Sequence, residues 1–160
     1  MMQGETPHRH KVIAHRYHDF SMGHRVAGHE SKCANFHGHN YRVHFCVEGE
    51  NLDAVGRVID FSVIKDRLCE WLEKSWDHRF LLWEQDTQGR SCIQTQDTKP
   101  LMTPREMGFV YVPFNPTAEN LAKHLVEVVG PSCLKNTGVR LVKVDIEETR
   151  KCSASYELED

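Results

Sequence analysis

No stretch of 18 consecutive apolar residues occurs in the chain, so no segment reads as a membrane-crossing helix. Met1–His10 is polar and lacks the apolar core of a secretory leader. Neither sign of charge dominates: 20 Lys and Arg stand against 23 Asp and Glu, a formal net charge of -3, without a long run of either sign. That balance excludes the electrostatic footprint of a nucleic-acid or anionic-membrane binder, and any phosphate-bearing ligand must meet positive charge locally. Cysteine is thinly spread, with six residues (Cys33, Cys46, Cys69, Cys92, Cys133 and Cys152) in a chain of 160. They lack the density of a secreted disulfide scaffold and read as reduced thiols of a soluble, cytoplasmic protein. At this length a single domain over 1–160 is expected, since domains most often run to roughly 100–150 residues.

Histidine, by contrast, is abundant. Eleven are present, and His15, His18, His24, His29, His37, His39 and His44 fall close together in the first third of the chain. Lys11–Arg25 alternates loosely and suits a long strand. Gly28–Phe36 reads as a loop carrying Cys33. From His37 to Glu50 the alternation is cleaner, with Tyr41, Val43, Phe45 and Val47 on one face and Arg42, His44, Cys46 and Glu48 on the other. Together these two strands form a long antiparallel hairpin.

The period then changes. Ile64, Leu68, Trp71 and Leu72 recur at helical spacing within Asp60–Trp76, where Asp60 or Ser62 could cap the start. Trp83–Met107 is the least patterned part and reads as an extended loop, an insertion at about 83–107. A short apolar strand, Phe109–Val112, leads to Thr117 as the N-cap of a second helix. Leu121, Leu125, Val128 and Val129 form its buried stripe, and Gly130-Pro131 ends it. Val139–Ile146 and Ser153–Leu158 make a final strand pair, giving an α+β chain in β-β-α-α-β-β order.

Residues two apart in a strand point to the same face, so His37 and His39 can aim at one metal ion while Gly38 leaves the opposite face bare. His24 supplies a third nitrogen if the hairpin brings it alongside. Three imidazoles with an open fourth position suit catalytic zinc, although imidazole also suits other first-row metals. The competing reading is a turn with two solvated imidazoles. Cys33 would act as a base only as a thiolate, favoured by a nearby cation such as Lys32 or a metal; otherwise it is a small buried hydrophobe. Asp77-His78 is a second candidate pair, though adjacent residues need not face each other. Glu148 continues the apolar face of Val142, Val144 and Ile146. A carboxylate there is either a solvated strand end or a group held for a ligand, able to accept two hydrogen bonds from an amino-pyrimidine edge.

Taken in order, Phe20-Ser-Met-Gly-His24-Arg25, Lys32-Cys33-Ala-Asn-Phe-His37-Gly-His39-Asn-Tyr41, Val58-Ile-Asp60-Phe61, Trp76-Asp77-His78, Asn115-Pro-Thr117-Ala-Glu119-Asn120 and Glu148-Thr149 resemble one family. It is the 6-pyruvoyl- and 6-carboxy-tetrahydropterin synthases of the tunnelling fold. The resemblance implies an antiparallel sheet with two helices on one face, whose hairpins close into an oligomeric barrel, a hexamer or another closed ring. It implies that His24, His37 and His39 bind Zn2+, that Cys33 is the catalytic base and that Asp77 and His78 complete its proton relay from a different chain. Glu148 would anchor the pterin, with Thr117, Ala118 and Glu119 lining the same pocket. Of the basic residues near its mouth, Arg25 or Lys32 would face a triphosphate.

The three residues between Cys33 and His37 resemble the bacterial carboxy enzymes of the 7-deazaguanine (queuosine) pathway more than the animal pyruvoyl enzymes. The implied reaction converts 7,8-dihydroneopterin triphosphate to 6-carboxy-tetrahydropterin, acetaldehyde and triphosphate. The alternatives are a 6-pyruvoyl synthase, another lyase of dihydroneopterin derivatives, or a non-catalytic zinc- or pterin-binding module. One departure stands out: where the family places a polar Asn or Asp beyond a leucine, this chain has Leu81-Leu82.

Overall fold

A computed structural model describes residues 10–93 and 103–160. Six strands, β1 (Val12–His24), β2 (His37–Gly49), β3 (Arg79–Trp83), β4 (Phe109–Val112), β5 (Val139–Glu147) and β6 (Ser153–Glu157), form one sheet in the order β4-β3-β1-β2-β5-β6. Three helices connect them: α1 (61–75), α2 (Thr87–Ile93) and α3 (118–133). β1 and β2 pair antiparallel along their whole length, from Val12 opposite Gly49 to His24 opposite His37. The expected long hairpin is therefore present, and its far end is where the histidines gather.

Strand alternation decides what each face does. Phe20 and Met22 of β1, with Tyr41, Val43, Phe45 and Val47 of β2, point to one side and are buried. Against them pack Ile64, Leu68 and Leu72 of α1 and Leu121, Leu125 and Val129 of α3, together with Val144 and Ile146 of β5. Both helices begin as expected: Asp60 accepts the Ser62 amide at 2.8 Å, and Thr117 Oγ1 accepts the Asn120 amide at 3.2 Å. The opposite face is polar. There Arg42 donates twice to Asp19, at 2.7 and 2.9 Å, and His44 meets Glu147 at 2.7 Å.

Four expectations change. The sheet is mixed rather than antiparallel: β3 runs parallel to β1 through Met22–His24, and β4 runs parallel to β3. α1 joins β2 to β3 and carries the chain back to the histidine end of the hairpin, where β3 starts beside Met22 and runs antiparallel to β2 and hence along β1. β3 itself is an additional strand, missed because a four-residue apolar run, Phe80–Trp83, bears no period of its own. Within the 83–107 segment, Thr87–Ile93 is helical; residues 94–102 lie outside the described part. Finally, α3 runs through Gly130-Pro131 to Cys133. Gly130 marks a close approach instead of a stop, since a Cβ there would lie 2.8 Å from Leu141 Cβ on β5. The wide turn Leu125–Val129 precedes Pro131 and bonds the Gly130 amide to the Leu125 carbonyl.

Candidate active site

The end of the β1–β2 hairpin brings three imidazoles together. His24, His37 and His39 each offer a nitrogen, and these atoms lie within 4.8 Å of one another. His24 is buried and His37 and His39 are half-buried. His24 Nδ1 donates to the Pro116 carbonyl at 2.6 Å, and His37 Nδ1 donates to the Asn35 carbonyl at 2.7 Å. A carbonyl only accepts, so both rings carry their proton on Nδ1 and present an Nε2 lone pair. Those two Nε2 atoms are 3.0 Å apart. Two lone pairs at that separation repel unless a cation lies between them.

His39 adds a second sign. Its Nε2 is buried without a hydrogen-bond partner; Glu148 Oε1 lies 3.2 Å away but is not aligned to accept a proton. Burial holds the pKa of His24 below the ordinary imidazole value, against the opposing pull of the Pro116 carbonyl. Burial does the same to His39, opposed by the Glu148 carboxylate. Both effects favour the neutral ring that a metal requires. Beneath them Tyr41 is buried, and burial together with Glu148 raises its phenol well above the ordinary range. Three clustered imidazoles, one with a buried and unpartnered Nε2, fit a divalent metal such as zinc.

Beside this cluster is a cavity of about 290 Å³ lined by Cys33, Thr117, Ala118, Glu119 and Glu148, with Cys152 at its wall. Glu148 belongs to both places, since it lines the cavity and touches His39. It sits just past β5 on the Ile146 face, with its amide donating to the Cys152 carbonyl at 3.0 Å. Cys33 occupies a short turn, Lys32–Ala34, and its carbonyl accepts the Val26 amide at 3.0 Å. The Asn115–Asn120 segment ties the parts together. Asn115 bonds both ways to the backbone of Ala27, at 3.0 and 2.9 Å, and its own carbonyl accepts Asn120 Nδ2 at 2.9 Å.

The residues match the 6-pyruvoyl tetrahydropterin synthase family over 13–159. The chain belongs to this family of enzymes. Among its relatives, the 6-carboxy-5,6,7,8-tetrahydropterin synthase of Rickettsia bellii is 31% identical over 134 residues, 84% of this chain and 91% of that protein. The protein of the same name from Haemophilus influenzae is 32% identical over 109 residues, 66% of this chain and 73% of its own length. Two solved structures share the fold. An uncharacterized protein of Wolinella succinogenes superposes with a TM-score of 0.77 at 24% identity, covering 94% of this chain and 100% of that one. The Caenorhabditis elegans 6-pyruvoyl tetrahydropterin synthase gives 0.61 at 27% identity, covering 93% and 96%.

Within this family member, Asp77 and His78 stand apart from Cys33. They line a separate cavity of about 560 Å³ that does not include Cys33. His78 adopts a positive φ of 56°, and its amide donates to the Ser21 carbonyl at 2.7 Å, turning the chain from α1 into β3. Its ring is mostly exposed, and Nδ1 bonds Asp77 Oδ2 at 2.6 Å. Burial pulls the Asp77 carboxyl upward, but the Ser21 amide and His78 more than offset it and hold the group below its ordinary value. The adjacent pair is thus a bonded pair.

One reading of the sequence is revised, and one departure from the family pattern is explained. Arg25 is not at the pocket mouth; it is buried and paired with Asp86. The unusual Leu82 is fully buried, 3.0 Å from the place a Gly89 Cβ would take, so α2 covers it and an apolar residue suits the position. Sequence reasoning also missed the Pro116 carbonyl that orients His24, for which a backbone atom leaves no signal. It missed Asp86 as well, whose signal was an Asp three residues before Gly89, the spacing of a helix cap.

Proposed function

We propose that this chain is a zinc-dependent 6-carboxy-5,6,7,8-tetrahydropterin synthase that converts 7,8-dihydroneopterin triphosphate to 6-carboxy-tetrahydropterin, acetaldehyde and triphosphate. The observation that carries this reading is Glu148, a carboxylate in contact with His39 that also lines the cavity of Cys33. A pterin whose amino-pyrimidine edge is gripped by Glu148 would have its side chain directed toward the histidines. The names of the Rickettsia and Haemophilus relatives support the carboxy product.

His24, His37 and His39 would hold the zinc ion, which when bound supplies a Lewis acid that acidifies the side-chain hydroxyls and polarises a developing carbonyl. Cys33 moves protons as the base, while Thr117, Ala118 and Glu119 wall the pterin site. Asp77 orients His78 through Nδ1, leaving Nε2 for proton transfer. Since His78 and Cys33 occupy different cavities in one chain, the relay is completed by a second copy in a barrel-forming homo-oligomer. The reaction would serve 7-deazaguanine (queuosine) synthesis in the cytoplasm.

Replacing Cys33 by alanine tests the base assignment. Turnover of dihydroneopterin triphosphate should collapse while zinc content stays at the parental level. Unchanged turnover would remove Cys33 from the mechanism.

A further inference from the structure

Arg25 lies at the junction of β1 and the Cys33 loop, immediately after His24, and each arm of its guanidinium has a partner. Nε donates to Asp86 Oδ2 at 2.8 Å, Nη1 to the Ala34 carbonyl at 2.5 Å and Nη2 to Gln88 Oε1 at 2.8 Å. Arg25 is 8% exposed and Asp86 4%. The second oxygen of Asp86 accepts the Gly89 amide at 2.9 Å, which caps the first turn of α2. Gly89 is required there, because a Cβ would come within 2.4 Å of Asp86 Oδ2.

A buried pair of this kind stabilises little, because the desolvation of two charges offsets most of their attraction. Its effect is geometric: a guanidinium fork fixes three partners in one plane. Here the partners are the start of α2 and the carbonyl of Ala34, the residue after Cys33. The preceding link of the loop is held too, by the Val26 amide on the Cys33 carbonyl. Cys33 is therefore fixed by two successive carbonyl contacts, one made by Val26 and the other by Arg25, which is itself held by Asp86 and Gln88. Neither Arg25 nor Asp86 lines the Cys33 cavity.

We infer that the α2 segment is a brace for the catalytic loop, and that Arg25 and Asp86 are positioning residues that set where the Cys33 thiol stands in its cavity. This rests on the reading of Cys33 as the proton-transferring group. It gives the insertion a function within the reaction, and it accounts for a buried Arg beside a metal histidine.

The test measures Cys33 directly, in the full-length zinc-loaded protein, by iodoacetamide alkylation resolved peptide by peptide, alongside kcat, KM and zinc content. In Asp86→Asn, Cys33 should be alkylated about five-fold faster or more as the loop opens locally. The kcat should fall about ten-fold or more with little change in KM, because displacement of about 1 Å can lose about a hundred-fold in rate. Zinc should remain bound. Arg25→Lys, which keeps the charge but loses the fork, should change both readouts in the same direction.

Val129→Ala, a core truncation remote from the loop, controls for lost stability and should leave Cys33 alkylation at the parental rate. If Asp86→Asn does not fold, Gln88→Ala removes one arm while keeping the ion pair, and smaller changes of the same sign are expected. Parental alkylation and kcat in the folded variant, whichever it is, would overturn the proposal. Because alkylation is read apart from turnover, a fully active Cys33→Ala would remove the base assignment while alkylation still decides the brace.

Discussion

Gly23, beside His24, and Gly38, between His37 and His39, face each other across the last rungs of the β1–β2 hairpin. The space that side chains would fill at Gly23 is taken by the Phe80 ring, whose Cδ2 would lie 2.4 Å from an added Cβ, with the His37 carbonyl 3.3 Å away. Phe80 is itself wedged between Phe36 and Phe109, with both ring centroids at 5.3 Å. In Gly23→Ala the ring must retreat until the carbons are about 3.5 Å apart, roughly 1 Å of movement against two neighbours. Overpacking of this size costs about 1–3 kcal/mol. For a chain of this length that lowers the thermal midpoint by roughly 2–12 °C. The assay is calorimetric unfolding at fixed zinc load, since bound metal shifts the midpoint by mass action. Coupling is the discriminating quantity: in a Phe80→Ala background the Gly23→Ala penalty should largely vanish. A penalty that persists undiminished there would refute the steric argument.

Three further outcomes follow from the same geometry. His39→Ala should abolish stoichiometric zinc binding, measured by elemental analysis, whereas His44→Ala, on the opposite sheet face beside Glu147, should not. Leu125→Ala, at a fully buried position of α3, should destabilise by about 2–5 kcal/mol in denaturant titration without altering zinc content. His124 packs against Trp76 and Phe114 at centroid distances of 6.0 and 4.9 Å, and burial depresses its pKa below the ordinary 6.5. The unfolded chain then binds that proton more readily, so stability is lost as pH falls through about 6.5. His124→Phe should remove this component, and the stability difference between the two proteins should shift in the variant's favour between about pH 7 and pH 5. An unchanged difference would show that His124 titrates normally.

The parts of the molecule visible in the sequence are those where local period and packing agree. Tyr41, Val43, Phe45 and Val47 alternate because one face of β2 is core, and Ile64, Leu68 and Leu72 repeat because one face of α1 meets it. The His37-Gly38-His39 spacing carries its own geometry for the same reason. What escaped was set by partners distant in sequence. Arg79–Trp83 becomes a strand only because β1 and β4 flank it, and its apolar residues could equally have belonged to a buried helix. Arg25 read as a ligand contact because its partner, Asp86, is 61 residues away in sequence. Gly89 fell within a segment that read as loop and Gly130 read as a helix end, whereas each permits a close approach, one to a carboxylate and the other to β5.

The most direct measurement is incubation of the zinc-loaded protein with 7,8-dihydroneopterin triphosphate, identifying every product by mass. Formation of 6-carboxy-tetrahydropterin with equimolar acetaldehyde and triphosphate is expected. A 6-pyruvoyl product without acetaldehyde, or substrate that binds and is never consumed, would contradict the proposed reaction.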